Sequence, residues 1–125
     1  MKLGIVGSRR RNSVADRGIV FNMVSSYYND YRNELVLISG GCAEGADSFA
    51  EEVAEEFQIP IVIHHPKLPP PGSQRFEFTK AYYERNELIA KDCDSLLALV
   101  AEDRKGGTEN TIKFANKFGK NVMIL

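Results

Sequence analysis

The chain has 125 residues, of which 43% are hydrophobic and 26% are charged. This length and composition predict one globular domain, residues 1–125, and exclude a disordered or low-complexity protein. Sixteen basic and seventeen acidic residues leave a net charge of −1, so a site for an anion must be local rather than a property of the whole surface.

The number of cysteines and the hydropathy of the chain indicate the cellular compartment of the protein. There are two cysteines, Cys42 and Cys93, and no apolar run approaches the roughly 20 residues that a membrane span needs. These features predict a soluble, cytoplasmic protein that does not enter a membrane. Neither cysteine lies in a CxxC pair, and His64-His65 has no partner at metal-ligand spacing, so no metal site is expected.

The first half of the chain contains two strand-turn-helix units. A strand is predicted at Lys2–Val6, followed by the turn Gly7-Ser8-Arg9 and by a helix that begins at Ser13 with a capping box to Asp16. The second unit has a strand at Leu35–Ile38, a turn that contains Gly40, Gly41 and Gly45, and an amphipathic helix at Ala46–Phe57.

The second half continues the alternation. Its predicted elements, in chain order, are a strand at Ile59–Ile63, an irregular segment at His64–Gln74, a helix at Arg75–Lys91, a strand at Ser95–Val100, a loop at Ala101–Gly107, a helix at Thr108–Phe118 capped by Thr108, and a strand at Asn121–Leu125. The proline-rich part of the irregular segment, Pro66–Gly72, could be a lid or a rigid surface loop.

Strands that alternate with helices predict an α/β, Rossmann-like, doubly wound parallel sheet with helices on both faces. We expect five strands in the order 3-2-1-4-5, which brings the turns after strands 1, 2 and 4 to one edge, at the switch point where open α/β sheets bind ligands. Tight turns alone would also use glycine, but three at one edge favour a phosphate-bearing ligand. The predicted phosphate-binding residues are Gly7, Ser8, Arg9, Gly40, Gly41, Gly45, Ala46, Asp47, Gly106, Gly107 and Thr108.

An arginine on the third helix gives a second signal. The apolar stripe of that helix runs through Phe78, Ala81, Tyr82, Leu88 and Ile89, and Arg85 falls in the middle of it. A charge there needs a partner, which could be a ligand phosphate, a buried carboxylate, or solvent reached between neighbours. Asn86 could contact a sugar or a base.

The motifs resemble those of the SLOG superfamily, which contains DprA, the cytokinin-activating LOG hydrolases and YspA/YpsA-like proteins. Ile38–Asp47 is similar to the S-G-G-A-x-G-x-D turn, Arg85–Ala90 to the R-N-x-x-[ML]-A helix, and Gly107-Thr108 to the G-T step, with the YspA-like group the most similar. The resemblance implies a pocket for a nucleotide or nucleotide derivative, and a possible homodimer.

Three functions follow from this resemblance. The leading hypothesis is a nucleotide-binding domain, such as a sensor or carrier. The second is a LOG-like phosphoribohydrolase in which Arg85 orients the substrate and Glu109 or Asp47 handles charge or a proton, although the family's glutamate position falls on Thr111 here. The third is a DprA-like module for single-stranded DNA, which the acidic second helix disfavours. Whether the protein is an enzyme stays open.

Overall fold

The computed structural model describes residues 1–125. Nine main elements alternate along the chain, and a short 3-10 turn at Arg32–Glu34 follows the first helix. The elements are β1 Lys2–Gly7, α1 Val14–Tyr31, β2 Val36–Ser39, α2 Ala46–Phe57, β3 Ile61–Ile63, α3 Arg75–Asp92, β4 Ser95–Leu99, α4 Gly107–Lys117 and β5 Asn121–Ile124. None of the helices is long and apolar enough to cross a membrane.

The five strands form one parallel sheet in the order β3-β2-β1-β4-β5, which confirms the predicted topology. β1 is the middle strand, with Gly4 opposite Ile38 of β2 on one side and opposite Leu96 of β4 on the other. All five residues of β4 are buried, as expected for an inner strand covered on both faces. The carboxyl ends of β1, β2 and β4 therefore lie together at one edge.

Helices cover both faces of the sheet. Leu3 and Ile5 of β1 pack in the larger core cluster with residues of α1 and α2, whereas Val6 packs in a second cluster with residues of α3 and α4. The alternation of side chains along a strand explains this division, because successive residues point to opposite faces.

β3 and α3 differ in detail from the prediction. β3 begins at Ile61 rather than Ile59, because the Ile59 N–H donates to the carbonyl oxygen of Ala54 at the end of α2 and leaves the strand. Leu88 was expected in the apolar stripe of α3, but it is 48% exposed, and the inner face of the helix instead carries Ala81, Asn86 and Ile89. The capping box of α1 is confirmed, with the Asp16 N–H donating to Ser13 Oγ at 3.1 Å.

Candidate functional site

A cavity of about 440 Å³ lies at the carboxyl ends of β1 and β4. It brings together most of the residues predicted from the glycine turns and from α3. The lining residues are Val6, Gly7, Ser8, Arg9, Arg10, Cys42, Asp47, Thr79, Tyr82, Tyr83, Arg85, Asn86, Ile89, Lys105, Gly106, Gly107, Thr108 and Thr111. Its position at the switch point of the sheet is the usual place for a ligand in an open α/β fold.

A second cavity of about 320 Å³ adjoins the first on the side of β2. Arg9, Cys42, Tyr82 and Arg85 line both cavities and form their common wall. The smaller cavity is otherwise lined by Gly40, Gly41, Ala43, Glu44 and Pro66. Of the predicted residues, Gly45 and Ala46 line neither cavity, and Pro66 is the one residue of the Pro66–Gly72 segment that lines either of them.

The start of α4 presents unpaired backbone N–H groups to the larger cavity. Gly106 occupies the N-cap position with φ of 122°, and no side chain caps the helix. The prediction that Thr108 caps α4 is therefore wrong, because the glycine before the helix takes that position and Thr108 lies buried in the first turn. The N–H groups of Gly107 and Thr108 make no hydrogen bond within the protein, and they carry the partial positive charge of the helix terminus.

The turn after β2 differs, because the protein itself occupies some of its N–H groups. The Cys42 N–H donates to Asp47 Oδ2 at 2.9 Å, and the Gly45 N–H donates to Asn12 Oδ1 at 2.8 Å. Burial raises the pKa of Asp47, while the Cys42 N–H and the nearby Arg85 guanidinium act in the opposite direction. Because the Asp47 carboxylate accepts a hydrogen bond from its own loop, the Cys42 N–H is already occupied and does not bind a ligand.

Arg85 lies half-buried between α3 and the end of β2. Its Nη1 donates to the carbonyl oxygen of Gly40 at 2.6 Å, and its Nε donates to Asn86 Oδ1 at 2.9 Å. The guanidinium carbon is also 5.7 Å from the centre of the Tyr82 ring. A backbone oxygen and a neutral amide therefore hold this charge in place, while Nη2 makes no hydrogen bond within the protein.

Asn86, which the sequence suggested for a sugar or base, connects the two helices that flank the larger cavity. Its side chain is 5% exposed, and its Nδ2 donates to Asn110 Oδ1 at 3.1 Å and to the Gly107 carbonyl oxygen at 3.4 Å. Asn86 thereby ties α3 to the first turns of α4. Sequence reasoning missed Asn110, whose only signal is a polar position three residues after Gly107.

Two of the three consecutive arginines after β1 are paired with carboxylates, and the third is not. Arg11 Nε donates to Asp16 Oδ1 at 2.6 Å, and the two Nη atoms of Arg10 donate to the Asp103 carboxylate at 2.9 and 2.7 Å. Arg9 pairs with no carboxylate, and its pKa is raised by the neighbouring Cys42 thiol and the Tyr82 hydroxyl. Arg9 is therefore available to an anion in either cavity.

Two residues near the cavity were missed or understood differently from the sequence. Cys42 was not among the predicted site residues, but it is partly exposed and lines both cavities. Lys105 lines the larger cavity just before the start of α4, and its carbonyl oxygen accepts from Arg10 at 2.9 Å. Adjacency to the glycine turns was the only sequence signal for either residue.

Carboxylates are scarce in the larger cavity. Arg104 holds the Glu109 carboxylate with two hydrogen bonds of 3.0 and 2.8 Å, and Glu109 lines neither cavity. Asp47 is the one acidic residue of the lining, and Thr111 occupies a buried lining position. No group of three or more His, Cys, Asp or Glu side chains is placed to hold a metal ion.

No protein-family model and no curated protein sequence matches the chain. Solved structures with the same fold include DNA processing protein A (DprA) from Streptococcus pneumoniae, at 21% identity and a TM-score of 0.76, which covers 98% of this chain and 49% of that one. The chain thus spans about half the length of DprA.

Two further structures with the same fold are of a protein that binds the molybdenum cofactor and of a protein that carries it. The molybdenum cofactor binding protein from Rippkaea orientalis has 17% identity and a TM-score of 0.73, and the molybdenum cofactor carrier protein from Chlamydomonas reinhardtii has 15% identity and a TM-score of 0.70. Each covers 98% of this chain and 74% of its own. The chain therefore has the same Rossmann-like α/β fold as these proteins, as the alternation of strands and helices predicted.

Proposed function

We propose that this protein binds a small phosphate-bearing ligand, a nucleotide or a nucleotide derivative, in the larger cavity. The observation that carries the proposal is the uncapped start of α4, where the N–H groups of Gly107 and Thr108 lack partners at the wall of a 440 Å³ cavity. Helix N-termini of this kind bind anions because the unpaired N–H groups and the helix dipole act together. The phosphate binds there.

Positive side chains at the same wall support an anionic ligand. Arg9 pairs with no carboxylate, and Lys105 immediately precedes the turn. A helix terminus contributes about 0.3–2 kcal/mol and a charge-assisted hydrogen bond about 1.5–3 kcal/mol, which is less than the roughly 8 kcal/mol of a micromolar complex. The remaining affinity comes from the sugar and base, for which Tyr82 and Tyr83 provide flat walls.

A sensor or carrier fits this lining better than a hydrolase. A LOG-like reaction would need a carboxylate to handle charge or a proton, but Glu109 is bound by Arg104 outside the cavity and Asp47 is engaged by the Cys42 N–H. The likeness to two proteins of molybdenum cofactor binding also supports a ligand-binding role. The homodimer implied by the resemblance stays a prediction, which the mass of the protein in solution tests.

A DNA-binding role has less support, although one similar structure is a DNA processing protein. The outer face of α2 carries four exposed glutamates, Glu51, Glu52, Glu55 and Glu56. Single-stranded DNA requires a positively charged groove with aromatic platforms. Binding of such DNA with a steep salt dependence would favour this alternative.

Two alanine variants test the proposed phosphate position. A Cβ at Gly107 would meet only Asn86 Nδ2, at 4.0 Å, so Gly107→Ala folds but places a methyl group at the start of α4. Gly18→Ala is the matched control, because a Cβ there meets nothing within 4 Å and Gly18 lines neither cavity.

The measurement is calorimetric titration with a panel of nucleoside 5′-monophosphates, together with native mass spectrometry for a co-purified ligand. We expect the wild type and Gly18→Ala to bind a member of the panel equally, and Gly107→Ala to bind it at least about tenfold more weakly, or about 1.4 kcal/mol. Equal affinity in all three proteins, or no binding and no co-purified ligand, contradicts the proposal.

A further inference from the structure

The two cavities are parts of one continuous site. They share four lining residues, Arg9, Cys42, Tyr82 and Arg85, and the outer parts of the two cavities lie on opposite sides of β1. The phosphate position proposed above uses only the β4 side of this site. A ligand that filled only the larger cavity would leave the β2 side, with its own polar groups, empty.

The smaller cavity has the chemistry of a second anion subsite. Arg85 Nη2 has no hydrogen-bond partner within the protein, and Arg9 pairs with no carboxylate. The N–H groups of Gly41, Ala43 and Glu44, which line this cavity, also make no hydrogen bond within the protein. The lining of the smaller cavity therefore contains two guanidinium groups and one carboxylate, that of the exposed Glu44.

The strand order gives the approximate separation between the two subsites. The smaller cavity adjoins the end of β2, the start of α4 lies beyond the loop of residues 100–106 that follows β4, and β1 lies between these strands. Neighbouring strands are about 4.8 Å apart, so the two strand ends are separated by roughly 10 Å. This distance is too large for two directly linked phosphates to fill both subsites, but it suits two anionic groups with a spacer between them.

We infer that the ligand carries two anionic groups about 10 Å apart, one bound at the start of α4 and the other in the smaller cavity beside Arg9 and Arg85. This inference rests on the proposed function and narrows its ligand class to nucleotide derivatives with a second anionic group beyond a spacer. The spacer crosses the common wall, where Tyr82 offers an aromatic face and Cys42 a small side chain.

A series of α,ω-alkane bisphosphonates measures this separation without any assumption about which nucleobase the ligand carries. Each bisphosphonate is compared by calorimetry with the alkyl monophosphonate of the same chain length. We expect the bisphosphonate to bind at least tenfold more tightly than its monophosphonate at one intermediate length, and to lose this gain when the chain is much shorter.

Ala43→Glu is the test variant, because Ala43 is exposed and lines only the smaller cavity. It should remove the tenfold gain, so that each bisphosphonate binds this variant no more tightly than its monophosphonate. Ala15→Glu adds the same charge at an exposed position that lines neither cavity, and it should behave like the wild type.

The outcomes separate this inference from the proposed function. If monophosphonates or nucleotides bind but no bisphosphonate gains affinity at any length, the two-anion ligand is wrong while the proposed function stands. A gain that survives in Ala43→Glu also overturns the inference, because the second phosphonate would then bind elsewhere. If neither phosphonates nor nucleotides bind, both proposals are wrong.

Discussion

The Nη1 atom of Arg85 lies 2.6 Å from the carbonyl oxygen of Gly40, and this contact joins α3 to the end of β2. It depends on the absence of a side chain at position 40, where a Cβ would lie 2.6 Å from Nη1 and 3.1 Å from Asp47 Oδ2. Gly40 therefore provides the space in which Arg85 reaches the common wall of the two cavities.

Gly40→Ala should destabilise the fold. The added methyl group displaces the flexible end of Arg85 from its carbonyl partner, and the loss of a hydrogen bond from a charged group costs about 1.5–3 kcal/mol. Gly18→Ala is the control, because it meets nothing within 4 Å in the interior of α1, and it should raise the free energy of unfolding by about 0.5–1 kcal/mol. Urea unfolding measures both changes, and a Gly40→Ala protein as stable as the wild type would show that Arg85 does not need this space.

Asp16 should make the stability of the protein depend on pH. Burial acts to raise its pKa, but hydrogen bonds from Arg11 and Ser13 outweigh burial and hold the pKa below its usual value of 3.8. A lowered pKa in the folded state stabilises the fold above the unfolded value, and this contribution is lost as the pH falls through the folded pKa. Asp16→Asn should therefore be less stable than the wild type at neutral pH, by about 1.5–3 kcal/mol.

The gap between wild type and Asp16→Asn should narrow as the pH falls from about 7 to about 2. Urea unfolding at a series of pH values measures the gap. A gap of constant size over this range would mean that the loss comes from packing or capping geometry, and not from the ionised carboxylate.

The two cysteines should differ in reactivity, and this difference reports on the site. Cys42 is partly exposed and lines both cavities, whereas Cys93 is 0% exposed. Iodoacetamide should therefore modify the native protein once, at Cys42, and a bound nucleotide should slow the reaction. Mass spectrometry of the modified peptide measures this, with Cys42→Ser as the control that should stay unmodified. Ligand binding that leaves the rate at Cys42 unchanged would place the ligand away from the common wall.

The lining also predicts the outcome of an activity assay. Because Arg104 binds Glu109 outside both cavities, incubation with AMP should release no free adenine. Chromatography of a long incubation measures the free base. Release of adenine by the wild type, and its loss in Glu109→Gln, would establish the hydrolase alternative.

The sequence predicted the strand order and the edge at which the turns meet because both depend on patterns that lie along the chain. Buried strands give short apolar runs, Gly7 and Gly40 mark where the first two strands end, and Gly106 marks the start of the last helix. The anomalous position of Arg85 on α3 was also visible as a break in helical periodicity. The hydrogen-bond acceptor of Arg85 was not visible in the sequence. It is the carbonyl oxygen of Gly40, 45 residues away, and every residue type has such an oxygen.

The remaining differences arise because alternative local hydrogen bonds and caps compete, and the sequence pattern does not show which of them forms. Thr108 has the chemistry of an N-cap, but Gly106, two residues earlier, adopts a positive φ and takes the N-cap position. Asp47 was predicted to bind a ligand phosphate through its turn, yet its carboxylate accepts from the Cys42 N–H and so closes part of that turn. The glycine turns look alike in sequence, and hydrogen bonds from distant residues distinguish them. The ligand-binding roles of these residues stay predictions.

The central claim is that the phosphate of a nucleoside monophosphate binds at the start of α4. Titration of the ¹⁵N-labelled protein with a nucleoside monophosphate, followed by amide chemical shifts, tests it most directly. We expect the largest changes at Gly106, Gly107 and Thr108, with the Gly45 amide, already bonded to Asn12, changing little. Shifts centred on Gly45 with none at Gly107 would contradict the claim.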